Sequence, residues 1–157
     1  MIQENLDIFG EHPKYENLIN VIVEIDTERK GDLAAADRLY NFGLNQLEKG
    51  RNIKAIHYLG RSLIKLFKEE RRNELVRALY FISSAYESIG LLWAARGSLI
   101  HAAAINDFVQ YQELDKIQYR CFRRLATIEL QLGRVGYALE WFQADYAISQ
   151  ITRAVSR

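Results

Sequence analysis

The sequence predicts an all-α fold made of repeated helix hairpins, and three observations carry that expectation. The 157-residue chain has one proline, Pro13, and its nine glycines fall mostly between segments with helical apolar spacing. Strict apolar and polar alternation, the mark of a half-buried strand, is almost absent. Gly50, Gly90 and Gly133 are flanked by the same kinds of residue at the same distances.

The elements follow in order. Pro13 can sit in a first helical turn, where its missing N–H costs nothing, and Leu18, Val21, Ile22 and Ile25 continue at helical spacing, giving an opening helix of about 13–27. After Gly31, Asp32 is placed to cap a second helix through Leu33, Ala36, Leu39, Tyr40, Gly43, Leu44 and Leu47, ended by Gly50. Asn52 then caps a third, with Ile53, Ile56, Leu59, Leu63 and Leu66 on its apolar side, running out into the charged stretch at 68–72. Asn73 opens a fourth to about Ile89. Leu92, Ala95, Leu99, Ala102 and Ala103 mark a fifth, ending near Asn106 and Asp107. Helices at about 114–132 and 134–151 bring the expected number to seven.

The repeat is read by aligning on the three glycines. Seven residues before them stand Gly43, Ser83 and Ala126, and five residues after them stand Ala55, Ala95 and Ala138. Eight before come Phe42, Ile82 and Leu125, eleven before come Leu39, Leu79 and Phe122, and nine after come Leu59, Leu99 and Phe142. Antiparallel helices cross at about 8 Å only where small residues face each other, with large apolar residues on the flanks. An αα-hairpin occurring three times is the consequence.

With these six positions, the glycine included, matched in three copies, residues 36–148 resemble the tetratricopeptide repeat (TPR). The family's period is 34 residues, whereas the glycines here are 40 and 43 apart, and the proline that commonly closes a repeat is missing. Longer helices would account for both, a variant similar to the repeats of kinesin light chain and of bacterial peptide-sensing regulators. The resemblance implies one TPR-like domain over 1–157, an α-α superhelix with an N-terminal helix at 13–31 and repeats at 32–72, 73–113 and 114–157. It also implies a segment of a longer regulatory or scaffold protein.

The resemblance further implies that the first helix of each hairpin lines a concave groove that takes a peptide or protein partner. The residues expected there are Tyr40, Asn41, Arg77, Tyr80, Phe81, Ser84, Arg120, Arg123, Arg124 and Thr127, with Asp37 and Leu44 beside them. Arginines grip carboxylates in a bidentate manner, so an acidic or C-terminal peptide is the expected ligand. The bland alternative is that Tyr80 and Phe81 pack between repeats and the arginines form a solvated face. The family's carboxylate-binding version has lysines and asparagines at matching places, and only Asn41 matches, which argues against chaperone tails.

The last helix is apolar on two sides. Val135, Leu139, Phe142 and Tyr146 fall on one, which is expected to close the hairpin. Tyr137, Trp141, Ile148, Ile151 and Val155 fall roughly opposite, and are expected to meet a further repeat or a second copy in a homodimer, with Trp141 at the centre, the bland alternative being a C-terminal tail folded back over them. A self-associating structural domain is therefore the alternative to a groove-binding module, and a peptide or small-ligand sensor is a lesser one.

Composition limits the other classes. A formal net charge of +1 and a pI near 7.8 disfavour nucleic acid as a partner, although Tyr119, Arg120, Arg123 and Arg124 form a local basic and aromatic cluster. Cys121 is the only cysteine, which excludes an intrachain disulfide, a Cys-based zinc site and a Cys-x-x-Cys pair, and suits a reducing, cytoplasmic setting. No apolar run approaches a membrane span, and the first residues lack the pattern of a signal peptide. His12, His57 and His101 occupy unmatched places, and no phosphate loop, His-Glu-x-x-His or Gly-x-Ser-x-Gly elbow occurs. No enzyme activity, metal or cofactor is expected.

Overall fold

The computed structural model describes residues 13–68, 71–106 and 116–155. Among them are six helices: α1 Pro13–Glu48, α2 Asn52–Lys68, α3 Arg72–Ser88, α4 Leu92–Asn106, α5 Lys116–Gln131 and α6 Val135–Val155. None of the described residues is in a strand.

Three hairpin turns share one construction. Gly50, Gly90 and Gly133 have φ of +68°, +79° and +73°, the left-handed region that side chains with a Cβ avoid. Their N–H groups donate to the carbonyls of Leu47, Glu87 and Leu130, and the next residues, Arg51, Leu91 and Arg134, donate to Gln46, Tyr86 and Glu129. This pair of bonds is the Schellman motif, which satisfies carbonyls the ending helix leaves open. The carbonyls of Arg51, Leu91 and Arg134 in turn accept from the N–H of Ala55, Ala95 and Ala138, opening the second helix at once. One residue thus closes one helix and begins the next, so each turn is short and the paired helices run antiparallel.

Three sequence expectations are corrected. The two helices expected on either side of Gly31 are one continuous helix, which puts the boundary between 13–31 and 32–72 inside α1. A mid-helix glycine costs only about 1 kcal/mol relative to alanine, too little to end a helix in which Glu28, Arg29 and Lys30 precede it and Leu33, Ala34, Ala35 and Ala36 follow. Asp32 is no cap; its carboxylate accepts from Lys65 Nζ at 2.5 Å, tying α1 to α2. Asn52 and Asn73 lie inside their helices, the cap positions being taken by Arg51 and Arg71. Arg71 instead donates through Nε to Glu74 Oε1 at 2.9 Å. That bond holds the Glu74 carboxyl below the usual carboxylate range. Helix length also explains less than expected, since α4 has 15 residues against 17 in α2. The extra length between Gly90 and Gly133 falls at 107–115, outside the described residues.

The helices pack in sequence order, each on the next, and the core runs through the stack. Ala55, Ala95 and Ala138 are buried, as are Gly43, Ser83 and Ala126, the small residues of the crossing positions. Gly43 marks the tightest approach: a Cβ there would lie 2.7 Å from Leu59 Cγ. Leu59, Ile82 and Ala85 join α2 to α3, and Leu99, Cys121, Leu125 and Ile128 join α4 to α5. At the ends the pattern lapses. Phe42 is 49% exposed although Ile82 and Leu125 at its offset are buried, and Phe142 is 39% exposed although Leu59 and Leu99 are buried.

Candidate functional site

The first helices of the hairpins touch one another, α1 with α3 and α3 with α5, while α2, α4 and α6 make at most slight contact among themselves. Such an arrangement curves the stack, with α1, α3 and α5 forming the inner wall.

A row of side chains crosses that wall. The Tyr40 ring of α1 meets Phe81 of α3 edge-on at 6.4 Å, and Tyr80 lies 5.5 Å from Phe81 in the same manner. From α5, the Arg124 guanidinium sits 5.1 Å from the centre of the Tyr80 ring while Nε donates to Glu87 Oε2 at 2.8 Å. Each contact joins or flanks a helix crossing, and all four side chains are half-buried. Tyr80 and Phe81 seal the seams between hairpins, and part of each stays accessible.

Around the row lie Asn41, Arg77, Arg120, Arg123 and Thr127, all exposed, with Ser84 half-buried. Arg123 donates through Nε and Nη2 to Asp145 Oδ2 at 3.3 and 3.1 Å, yet its side chain remains 72% exposed. Thr127 Oγ1 donates to the Arg123 carbonyl, and the Ser84 carbonyl accepts from Ser88 Oγ. Of the three α5 arginines, two therefore serve the array itself: Arg124 links α5 to α3, and Arg123 links it to α6.

The covered side of α6 is not the one expected, although Tyr137 is exposed as expected. Trp141 turns inward, its ring stacked on Phe122 of α5 at 5.7 Å and 27°, beside the buried Ala138 and Asp145. Tyr137 stays 50% exposed, with the Arg134 guanidinium 4.2 Å from its ring centre, and Ile148 is half-buried. The side chains of Ile151 and Val155 lie outside the described residues. The uncovered stripe consists of Val135, Leu139, Phe142 and Tyr146, at 66, 58, 39 and 66% exposure. Helical period shows that two sides are apolar but does not rank them. Asp145 carried the missing signal: it sits beside Trp141 on the helix and has its cation, Arg123, on α5.

A second cluster escaped the sequence entirely. Glu129 of α5 is fully buried; Arg96 Nε of α4 donates to its Oε1 at 2.6 Å, and Arg134 Nε stands 2.8 Å from Oε2 without hydrogen-bond alignment. Trp93 lies between the two guanidinium groups, 5.7 Å from Arg96 and 5.5 Å from Arg134. The partners are 33 residues apart in one case, so no local motif announces them.

Little in this set of groups suits chemistry. Cys121 is buried in the α4–α5 core, and burial pushes its thiol up to about 12 against a weaker opposing pull from Arg124. A buried thiol with so little thiolate at neutral pH is poorly suited to act as a nucleophile. Exposed His57 meets Tyr58 edge-on at 5.2 Å. No helix among the described residues is long and apolar enough to cross a membrane.

No protein family and no curated protein matches at the level of sequence. Among solved structures, the chain is similar to the TPR domain of Arabidopsis FLU, with a TM-score of 0.65 at 15% identity, over 78% of this chain and 98% of that one. At that identity the likeness speaks for the fold: the chain is a TPR-like helical array.

Proposed function

We propose that this TPR-like array is a non-catalytic protein-interaction module that holds a peptide or a partner helix along the wall of α1, α3 and α5. The observation that supports it most is the row Tyr40, Phe81, Tyr80 and Arg124, which spans all three hairpins without a break. Half-buried rings offer a partner rigid contact area at little cost in rotamer freedom. The exposed Arg77, Arg120 and Arg123 beside the row favour an acidic peptide or a terminal carboxylate. Asp145 engages one edge of the Arg123 guanidinium, and the rest faces solvent. We place the module in a larger regulatory or scaffold protein of the cytoplasm.

The test uses the tagged chain to capture partners, with photo-crosslinking side chains at positions 84 and 127. Substitutions must leave the array intact, which rules out Arg123 and Arg124 because each holds an acid of another helix. Arg120→Glu with Asn41→Glu instead reverses the charge of one exposed site and adds a negative charge at another. Loss of the captured partners with an unchanged melting curve supports the reading. Retention of every partner, with crosslinks confined to other faces, sinks it.

A further inference from the structure

The two ends of the array differ in a way that specifies what covers one of them. Counting from the turn glycines, Val135, Leu139, Phe142 and Tyr146 correspond to Asn52, Ile56, Leu59 and Leu63 of α2 and to Leu92, Arg96, Leu99 and Ala103 of α4. In α2, Ile56, Leu59 and Leu63 pack with Ile82 and Ala85 of α3, and in α4, Leu92, Leu99 and Ala103 pack with Cys121, Leu125 and Ile128 of α5. The α6 stripe is thus the stacking surface of the array, continued one step beyond the last described hairpin. An apolar strip of this kind marks an interaction site.

The opposite end does not offer the matching surface. Residues that dock α3 and α5 backward are Ala78 and Cys121, Ile82 and Leu125, and Ala85 and Ile128. Their counterparts on α1 are Arg38, Phe42 and Asn45. Arg38 and Asn45 are exposed, and Phe42 is partly covered by Tyr58, whose ring lies edge-on at 4.5 Å. Head-to-tail stacking of two copies would press a cation and an amide onto the α6 stripe without partners, a costly burial. The stripe itself suits its own copy. Its spacing of four, three and four residues is the seam of a helix pair packed at a shallow angle. Its immediate outer flank, Gly136, Gln143 and Gln150, carries no charge, and the exposed Glu140 lies further round the helix, on the side of Ala147, away from the seam.

We infer that this stripe is a self-association surface, on which α6 of a second copy lies antiparallel about a two-fold axis. Leu139 then faces Phe142 of the partner subunit, and Val135 faces Tyr146 of the partner subunit, a smaller side chain against a larger one in each pair. Because the interface is isologous, assembly closes at the dimer and leaves both inner walls open. The inference does not depend on the groove binding anything.

Sedimentation of the whole chain over a hundredfold range of concentration tests it. The wild type is expected to be a dimer. Leu139→Glu with Phe142→Glu is expected to weaken association by about a hundredfold or more, since both sites are central contacts. Leu139 is 58% exposed in the single chain and Phe142 39%, so Leu139→Glu alone should leave helical circular dichroism and melting of the monomer unchanged, and the same measurements on the double variant check that its fold is kept. Tyr146→Lys, at the edge of the stripe, serves as a milder variant. Mixing Val135→Cys with Tyr146→Cys chains should give a disulfide-linked pair on oxidation, in preference to either chain alone. A monomeric wild type, as expected if a further repeat or another protein's helix covers the stripe, overturns the inference. So does a dimer indifferent to the glutamates, or one crosslinked through Val135→Cys alone.

Discussion

Replacing Gly43 by alanine should destabilise the protein, although the same change elsewhere in its helices should stabilise it. A glycine within a helix costs about 1 kcal/mol relative to alanine, and at Gly60 of α2 and Gly97 of α4 an added methyl group would meet nothing within 4 Å. Gly60→Ala and Gly97→Ala are therefore expected to gain up to about 1 kcal/mol. At Gly43 the new Cβ would stand 2.7 Å from Leu59 Cγ, 2.9 Å from its Cδ2 and 3.1 Å from its backbone nitrogen. Ordinary carbon contacts need about 3.5–4.0 Å, so the helices must part or Leu59 must leave its place. Leu59 is fully buried, and Cγ is close to its backbone rather than at a flexible tip. Overpacking of this kind costs about 1–3 kcal/mol, and the helix gain of about 1 kcal/mol offsets part of it, leaving a net loss of up to about 2 kcal/mol. Urea unfolding of the three variants, followed by circular dichroism at constant slope, reads the difference. Adding Leu59→Ala to Gly43→Ala should show a favourable coupling, because the truncated side chain makes room for the methyl group. Equal stabilisation by all three alanines would refute the close crossing, and with it the alignment of the small residues.

Two further outcomes follow from buried groups. Glu129→Gln leaves Arg96 and Arg134 facing a neutral amide in the α4–α5 seam, and is expected to cost about 3 kcal/mol, the lower end for breaking a buried pair because both arginines are partly exposed. A urea midpoint equal to wild type would show that the cluster is ornamental to stability. Cys121 keeps its proton in the folded state to about pH 12, whereas an unfolded thiol loses it near 9. The unfolded state therefore binds fewer protons between those values, and stability should fall as pH rises above about 9, by up to about 1.4 kcal/mol per pH unit. Cys121→Ala should flatten that part of the pH profile; an identical alkaline slope in the variant would contradict it. At neutral pH the native thiol should resist alkylation until urea is added.

What was legible in advance divides along physical lines. The hairpin turns could be placed from the sequence because a left-handed φ is a property of single residues, and glycine alone enters it freely. The crossing positions were legible for a similar reason: Gly43, Ser83 and Ala126 recur against Ala55, Ala95 and Ala138 because volume at a crossing constrains each residue separately. Gly31 misled because it shares its chemistry with the turn glycines but not their context. The residues around it extend the helix, and their summed preference outweighs one unfavourable position.

The candidate surfaces were legible only in part. Tyr40, Tyr80, Phe81 and Arg124 could be assigned to the first helices, but not their partition between sealing the seams and facing a partner. That depends on how far each hairpin rotates against the next. The pairing of Arg123 with Asp145 and of Arg124 with Glu87 likewise joins residues 22 and 37 apart, a separation at which sequence pattern has no reach.

By itself, then, the sequence determined the helices, their turns and the small residues at their crossings, since each follows from the conformational and steric preferences of residues near one another in the chain. Tertiary structure alone decided which side of α6 is covered, where the buried carboxylate of Glu129 finds its cations, and which end of the stack stays apolar. Those outcomes are set by what a neighbouring helix presents. A helix apolar on two sides has no preference between them until a partner such as Phe122 arrives.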